Sequence, residues 1–158
     1  MFTYAQGHAN AFGICIPDTN LNDFHNLANK LLADYNFGEN VFDVNFIRNA
    51  KDADLYKLIM EIGAFPYIWG QGNKEALIYI NPVTINPNDL MVMGSNRDTL
   101  KININGIDYI KFFATDLIDE LTAKNEPVKI ELVCKANINE WMGRKTPQML
   151  IESYEIIQ

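Results

Sequence analysis

Two histidines and two cysteines are all that this 158-residue chain offers of the residues that most often hold metals or act as activated nucleophiles. Cys15 and Cys134 fit no C-x-x-C or other metal-ligand spacing. Each sits in an apolar, strand-like stretch, and both are expected to be buried free thiols of a reducing compartment. There is no Gly-x-Ser-x-Gly elbow, no P-loop, and no Cys/His pair with a third orienting group. No apolar run approaches the ~18 residues of a membrane span. No basic segment followed by an apolar one marks a secretory leader, so a cytoplasmic protein without a membrane partner is expected. Positive charge is scarce as well: 13 Lys and Arg stand against 20 Asp and Glu, a net charge of −7. That excludes a uniformly basic nucleic-acid binder, and any such affinity has to come from a local patch.

What is present is enough apolar material for a core, 48% of residues, in a length that suits one domain or two small ones. The most informative stretch is 128–157. Residues 128–134 alternate, with Val128, Ile130, Leu132 and Cys134 on one face, and 147–157 alternate again, the period-2 pattern of a half-buried β-ribbon. Between them, Asn137 to Lys145 reads as a turn with Trp141, Gly143 and the adjacent cations Arg144 and Lys145. Within 128–149, four cations (Lys129, Lys135, Arg144, Lys145) face two acids (Glu131, Glu140), which makes the segment locally +2. An exposed aromatic beside Arg-Lys suits stacking on a base while holding phosphate. A core Trp under a surface turn is the competing interpretation of Trp141, because Trp is mostly buried.

The chain opens on Gly7-His8-Ala9-Asn10-Ala11-Phe12-Gly13, followed by a short apolar strand that ends at Pro17. Small residues around a His let backbone approach a ligand, and the imidazole N–H could hold a phosphate. A satisfied structural His explains the same residues. Leu21, Phe24, Leu27, Ala28, Leu31 and Leu32 recur at helical spacing after a capping Asn20, and this helix is expected to end near Gly38. Residues 41–46 alternate as a strand, and 52–62 form a second amphipathic helix with Asp52 as cap, giving a small α/β unit. A stretch dense in Gly, Pro and aromatics, 63–75, marks a domain boundary and is assigned to packing.

Beyond it, the pattern predicts five strands and one helix: 76–85 interrupted at Asn81-Pro82 and extended by 90–93, then 99–104, an Asn105-Gly106 turn, 107–113, a helix over 115–124, and the strands 128–136 and 147–157. A helix between the third and fourth of five strands is the order of the OB-fold barrel. The fold class is therefore α+β. A small α/β unit (1–69) and a connector (70–75) precede an OB-fold-like five-stranded β-barrel (76–158). In that barrel the strand 2–3 face binds oligonucleotides. Lys101 and Lys111 lie on those strands and, with Arg144 and Lys145, suggest a groove for single-stranded nucleic acid, although lone strand lysines also occur on solvated faces.

The run Asn139-x-Trp141-x-Gly143 with Gln148 and Ile151 resembles the last hairpin of the C-terminal oligonucleotide-binding domain of the RecJ family of single-strand-DNA-specific exonucleases. Gly7, His8, Ala11 and Gly13 resemble the Gly-His signature of the DHH-associated domain of the same phosphoesterases, with Gln6 and Phe12 departing from it. Trp69, Gly70, Gly72, Asn73 and Glu75 resemble the link between the two domains, with Lys74 and Ala76 where the family carries prolines. The resemblance runs from Gly7 to Ile157 in the family's order. It implies that Gly7 and His8 contact substrate phosphate and that Lys101, Lys111, Trp141, Arg144 and Lys145 line the DNA-binding groove.

It also implies a parent enzyme that hydrolyses single-stranded DNA from the 5′ end with two metal ions, manganese or magnesium, held by Asp and His residues. No D-H-H triplet or Asp cluster with ligand spacing occurs here. The chain is expected to need no cofactor, to hold substrate without cutting it, and to partner a DHH catalytic domain preceding residue 1. A related DHH phosphoesterase acting on short oligonucleotides, or a stand-alone protein-interaction module, are the alternatives.

Overall fold

The computed structural model describes residues 2–8, 11–34, 41–70, 72–124 and 126–157. The chain divides into two compact units, Met1–Val41 and Phe42–Gln158.

In the first unit, strands β1 (Tyr4–His8) and β2 (Ala11–Cys15) form an antiparallel hairpin with Gly7 opposite Phe12 and His8 opposite Ala11. Ala9 and Asn10 of the Gly-His stretch lie outside the described residues. Helix α1 (Leu21–Leu32) follows with Asn20 at its N-cap position. Its expected end near Gly38 also lies outside the described residues. Cys15, expected to be buried, is exposed. It closes a hairpin of two strands, too few to enclose a side chain.

The second unit begins before the boundary drawn from composition. Strand β3 (Phe46–Arg48) pairs parallel with β4 (Leu77–Ile85). Just ahead of that pairing, the Asn45 side chain accepts from Leu77 N and the Asn45 amide donates to Leu77 O, both at 2.9 Å. Helix α2 (Leu55–Gly63) puts Leu55 and Ile59 into the same core as the barrel strands. These elements belong with the sheet they are bonded to, so the contacts divide the chain near residue 42 rather than at 70–75. The helix also starts later than expected. The Asp52 carboxylate accepts from the Asn49 backbone and side chain at 2.8 and 3.2 Å, closing the preceding turn, and Asp54 occupies the N-cap position. At its other end, a Cβ on Gly63 would stand 2.9 Å from Ile138 Cγ1, so only glycine lets this helix end approach the ribbon so closely.

The aromatic connector is a tight turn. Gly70 and Asn73 exchange backbone bonds of 2.9 and 3.1 Å, and Asn73 Nδ2 donates to Ile68 O at 2.6 Å. Trp69 is half-buried, but Phe65, Tyr67 and Ile68 are exposed, so the packing expected of this stretch is only partly realised.

The barrel strands then follow as β4, β5 (Leu90–Met93), β6 (Thr99–Ile104), β7 (Ile107–Lys111), helix α3 (Thr115–Lys124), β8 (Val128–Trp141) and β9 (Arg144–Ile157). The hydrogen-bonded order is β3-β4-β8-β9-β7-β6-β5. β4 and β5 are two halves of one segment joined by the Pro87–Asp89 turn, so this segment stands near both ends of that order. The interruption expected at Asn81-Pro82 is a bulge, where the β4–β8 register shifts between Ile80 and Val83. Ile78, Ile80, Leu100, Ile102, Tyr109, Ile130, Leu132, Cys134 and Met149 fill the interior, and α3 adds Leu117 and Leu121. Burial pushes the Cys134 thiol well above the usual thiol range.

Candidate nucleic-acid interface

The ribbon is longer than its sequence pattern indicated. β8 and β9 stay paired out to Trp141 opposite Arg144, and only Met142 and Gly143 turn the chain. Both have positive φ, 48° and 78°, the geometry of a two-residue hairpin turn. Exposure rises along the ribbon until Trp141 is 71% and Met142 90% accessible. The Trp is not a core residue.

Ladder partners point to the same side, and side chains alternate. One side of the ribbon therefore carries Trp141 with Arg144, Asn139 with Thr146, and Asn137 with Gln148. Gln148 Nε2 donates to Asn137 Oδ1 at 2.7 Å. The row continues onto the barrel, because Gln148 is in register with Asp108 of β7 and Asp108 faces Asn103 of β6. Lys101, two residues before Asn103, is on this side as well. The spacing Asn139-x-Trp141 with Gln148 thus sets three polar or aromatic groups on one continuous face, with Gly143 making the turn and Ile151 in the core.

The five residues expected to line a groove are brought together only in part. Lys101, Trp141 and Arg144 share the face just described. Lys101 is ion-paired to Asp108 at 2.7 Å, and Asp108 also accepts from Asn103 at 2.7 Å. Lys111 is the ladder partner of fully buried Leu100, so it lies on the core side at the barrel end. Its ammonium donates to the carbonyls of Ile151 and Glu152 at 3.2 and 2.9 Å. Lys145 is on the opposite side of the ribbon from Trp141 and pairs with Glu140 at 3.5 Å. Arg144 is exposed and has no ion-pair partner among the described residues.

The local +2 charge is also reduced by acids from outside the segment. Lys135 pairs with Glu152 at 2.8 Å and Glu75 at 3.4 Å. Burial pulls its pKa down, but the hydrogen bond and charge of Glu152, joined by Glu75, outweigh that and hold it above the usual lysine range. Tyr79 donates to Glu131, and that hydrogen bond, with burial and the carboxylate charge, raises the phenol to about 12.

Gly7 and His8 are on the terminal ladder pairs of the first hairpin. Gly13 has open space around its Cα, which leaves room for close backbone approach.

Other groups were not found from sequence. An open cleft of about 490 Å³ is lined by Asn49, Lys51, Asn81, Asn86, Asn103 and Asn105, among others. Its only acid, Asp89, accepts from the Asn86 backbone and side chain, both at 2.9 Å, and these bonds hold its carboxyl below the usual range. Scattered asparagines carry no spacing signal, so nothing in the sequence joins them. Phe112 and Phe113, which the strand pattern absorbed into 107–113, lie past the end of β7 and are exposed.

Among the described residues, no group of three or more His, Cys, Asp or Glu could hold a metal ion. The described residues do not fit the two-metal centre of the DHH enzymes. No described helix is long and apolar enough to cross a membrane.

A large, mostly antiparallel sheet with helix α3 between β7 and β8 follows the element order of an oligonucleotide-binding-type fold. Residues 51–153 match the RecJ OB domain, and the chain belongs to that family. This bears out the resemblance drawn from the hairpin. The match also starts ahead of the connector, so it takes in α2 with the barrel. The chain is 31% identical over 160 residues to the "Putative SPbeta prophage-derived single-strand DNA-specific exonuclease YorK" of Bacillus subtilis (strain 168). It is equally similar to the corresponding protein of Bacillus phage SPbeta. All of the chain is aligned, but it spans only 28% of those relatives' length. Two structures of RecJ from Thermus thermophilus, with Mn2+ and with Mg2+, share its fold at TM-scores of 0.56 and 0.57. They are 14% and 15% identical, and the match covers 99% of this chain and 22–23% of theirs.

Proposed function

We propose that this chain is the substrate-holding portion of a RecJ-like 5′→3′ single-strand-DNA exonuclease acting in DNA repair and recombination in the cytoplasm. The observation that carries this reading is the hairpin tip, where exposed Trp141 stands opposite Arg144, which has no ion-pair partner among the described residues, on a RecJ OB domain. The indole offers a stacking surface that any base can use, and the guanidinium offers a phosphate contact. The polar row from Asn139 to Asn103 gives the strand a path across the barrel, with Lys101 beside it.

Hydrolysis, with manganese or magnesium, belongs to a DHH catalytic domain of the parent protein, and the chain alone binds without cutting. Gly7 and His8 contribute a phosphate contact next to that domain. Incubation with labelled single-stranded DNA and Mn2+ tests the division of labour. Binding without degradation is expected. Degradation that co-purifies with the fragment contradicts it.

A further inference from the structure

β7 ends at Lys111 and α3 starts at Thr115, leaving Phe112, Phe113 and Ala114 as the whole connection. Phe113 has φ of 52°, in the left-handed region that a bulky side chain rarely occupies. The conformation is held on both sides. Ala114 N donates to Asp98 O at 2.7 Å, and Ile118 N donates to Ala114 O at 2.8 Å, starting the helix. Strain of this kind persists where surrounding structure enforces it, and it concentrates at functional sites. Here it holds Phe113 89% exposed beside a Phe112 that is 54% exposed. Neither ring joins the core.

The segment bonded to this connection carries the complementary group. Gly94 to Arg97 is a turn closed by Arg97 N donating to Gly94 O at 3.1 Å, and Arg97 itself has φ of 55°. Arg97 is exposed and has no ion-pair partner among the described residues. Adjacent exposed aromatics, bonded through Ala114 to the residue that follows Arg97, offer the same kinds of group as Trp141 and Arg144 at a second place.

The two places are at opposite ends of the β6–β7 face. β7 and β9 run parallel with Asp108 in register with Gln148. Phe113 is five residues beyond Asp108, and Arg144 is four residues before Gln148. At about 3.3 Å per residue the strand portion, from Lys111 to Arg144, spans roughly 23 Å, and Phe112 and Phe113 lie just past its end. That distance suits a strand several nucleotides long, within the range of about 4–16 nucleotides that OB folds engage.

We propose that Phe112, Phe113 and Arg97 form a second stacking and phosphate-binding station for the same DNA strand, so that it runs from the hairpin tip across β6 and β7 to the β7–α3 connection. This rests on the single-strand-binding reading above. The test is ultraviolet cross-linking of the full chain to oligothymidylates about 12 nucleotides long that carry one 5-iodouracil, placed near either end, with adducts mapped by mass spectrometry. A label near one end is expected to mark Trp141, and a label near the other to mark Phe112 or Phe113. Phe112→Ala with Phe113→Ala should remove the second adduct, keep the first, and weaken binding of the long oligonucleotide about five-fold or more. Binding of a tetranucleotide should change less.

Phe113→Gly separates this role from a structural one. Glycine accepts the left-handed conformation, so the unfolding midpoint should hold or rise while affinity falls. A lowered midpoint with unchanged affinity overturns the proposal. Adducts at Trp141 alone, with unchanged affinity in the Phe variants, overturn the second station and leave the functional reading standing. Absence of salt-dependent binding by the unaltered chain overturns both, and self-association lost in the Phe variants would then assign the patch to a second copy.

Discussion

The tip of the β8–β9 ribbon and the β6–β7 face carry the same kinds of residue and use them differently. On the strands, Lys101 is held by Asp108 and Lys111 by two carbonyls of β9. At the tip, Arg144 has no such partner among the described residues, and Trp141 is 71% accessible. A cation already engaged within the fold must give up that contact before it can hold a phosphate. Arg144, in the ladder pair beside the two-residue turn, has no such contact among the described residues to give up. Charge counted along the sequence therefore overstates charge available to a ligand, and the tip should govern binding while the strand cations govern stability.

The largest effect should come from the tip. Trp141→Ala is expected to cost about 1–3 kcal/mol of affinity for single-stranded DNA per stacked base, roughly 5- to 150-fold. The urea midpoint should stay where it is, because the indole is outside the core. Fluorescence anisotropy and a denaturation curve on the same sample check both. A shifted midpoint with intact affinity would reverse the roles of the two regions.

Lys111→Met should show the opposite signature. Losing a charged donor to two carbonyls, one bond part-buried and the other exposed, should lower stability by about 1–2 kcal/mol. DNA affinity should stay within two-fold, as competition anisotropy can measure. A large loss of affinity would return Lys111 to the binding surface.

Tyr109→Phe is a smaller perturbation of the barrel interior. The Tyr109 side chain is fully buried and its hydroxyl has no hydrogen-bond partner among the described residues, which leaves the cost of burying a polar group uncompensated. Stability should hold or rise by up to about 1 kcal/mol in thermal unfolding, with binding unchanged. A clear loss would reveal a partner for the hydroxyl.

The smallest effect concerns Tyr79. Its folded pKa of about 12 lies above the ordinary 10.0. The stabilisation from the Tyr79–Glu131 pair is therefore complete below pH 10 and is lost as the pH rises through 12. One tyrosine should titrate late in ultraviolet absorbance, and Glu131→Gln should bring it back toward 10.

Much of the barrel was legible because its signals are local. Alternation over 99–104, the Asn105-Gly106 turn and the helix over 115–124 all coincide with the structure. The tip end of the ribbon was not legible, although its other end, Val128 and Ile157, was. Asn137 to Trp141 breaks the apolar alternation because the ribbon outruns the core, and the unbroken ladder there is set by Met142 and Gly143. Asp108 and Glu152, which pair with Lys101 and Lys135, are on other strands, and Glu75 lies just ahead of β4, which no single-strand pattern reports. The same holds for the facing of Lys111, which depends on its register with Leu100. Trp141 and Arg144 could be picked out as candidates, but their exposure could not.

The salt dependence of DNA binding tests the contrast between tip and face most directly. Affinity of a ~20-mer should be followed by anisotropy across salt concentrations for the unaltered chain, for Arg144→Ala, and for Lys101→Met combined with Asp108→Asn, which preserves net charge. Each phosphate neutralised on a single strand contributes about −0.7 to the slope of log affinity against log salt. Arg144→Ala should make the slope shallower by about 0.7, and the Lys101 and Asp108 pair should leave it unchanged. The reverse pattern, a slope that survives Arg144→Ala and falls on loss of Lys101, would contradict the account.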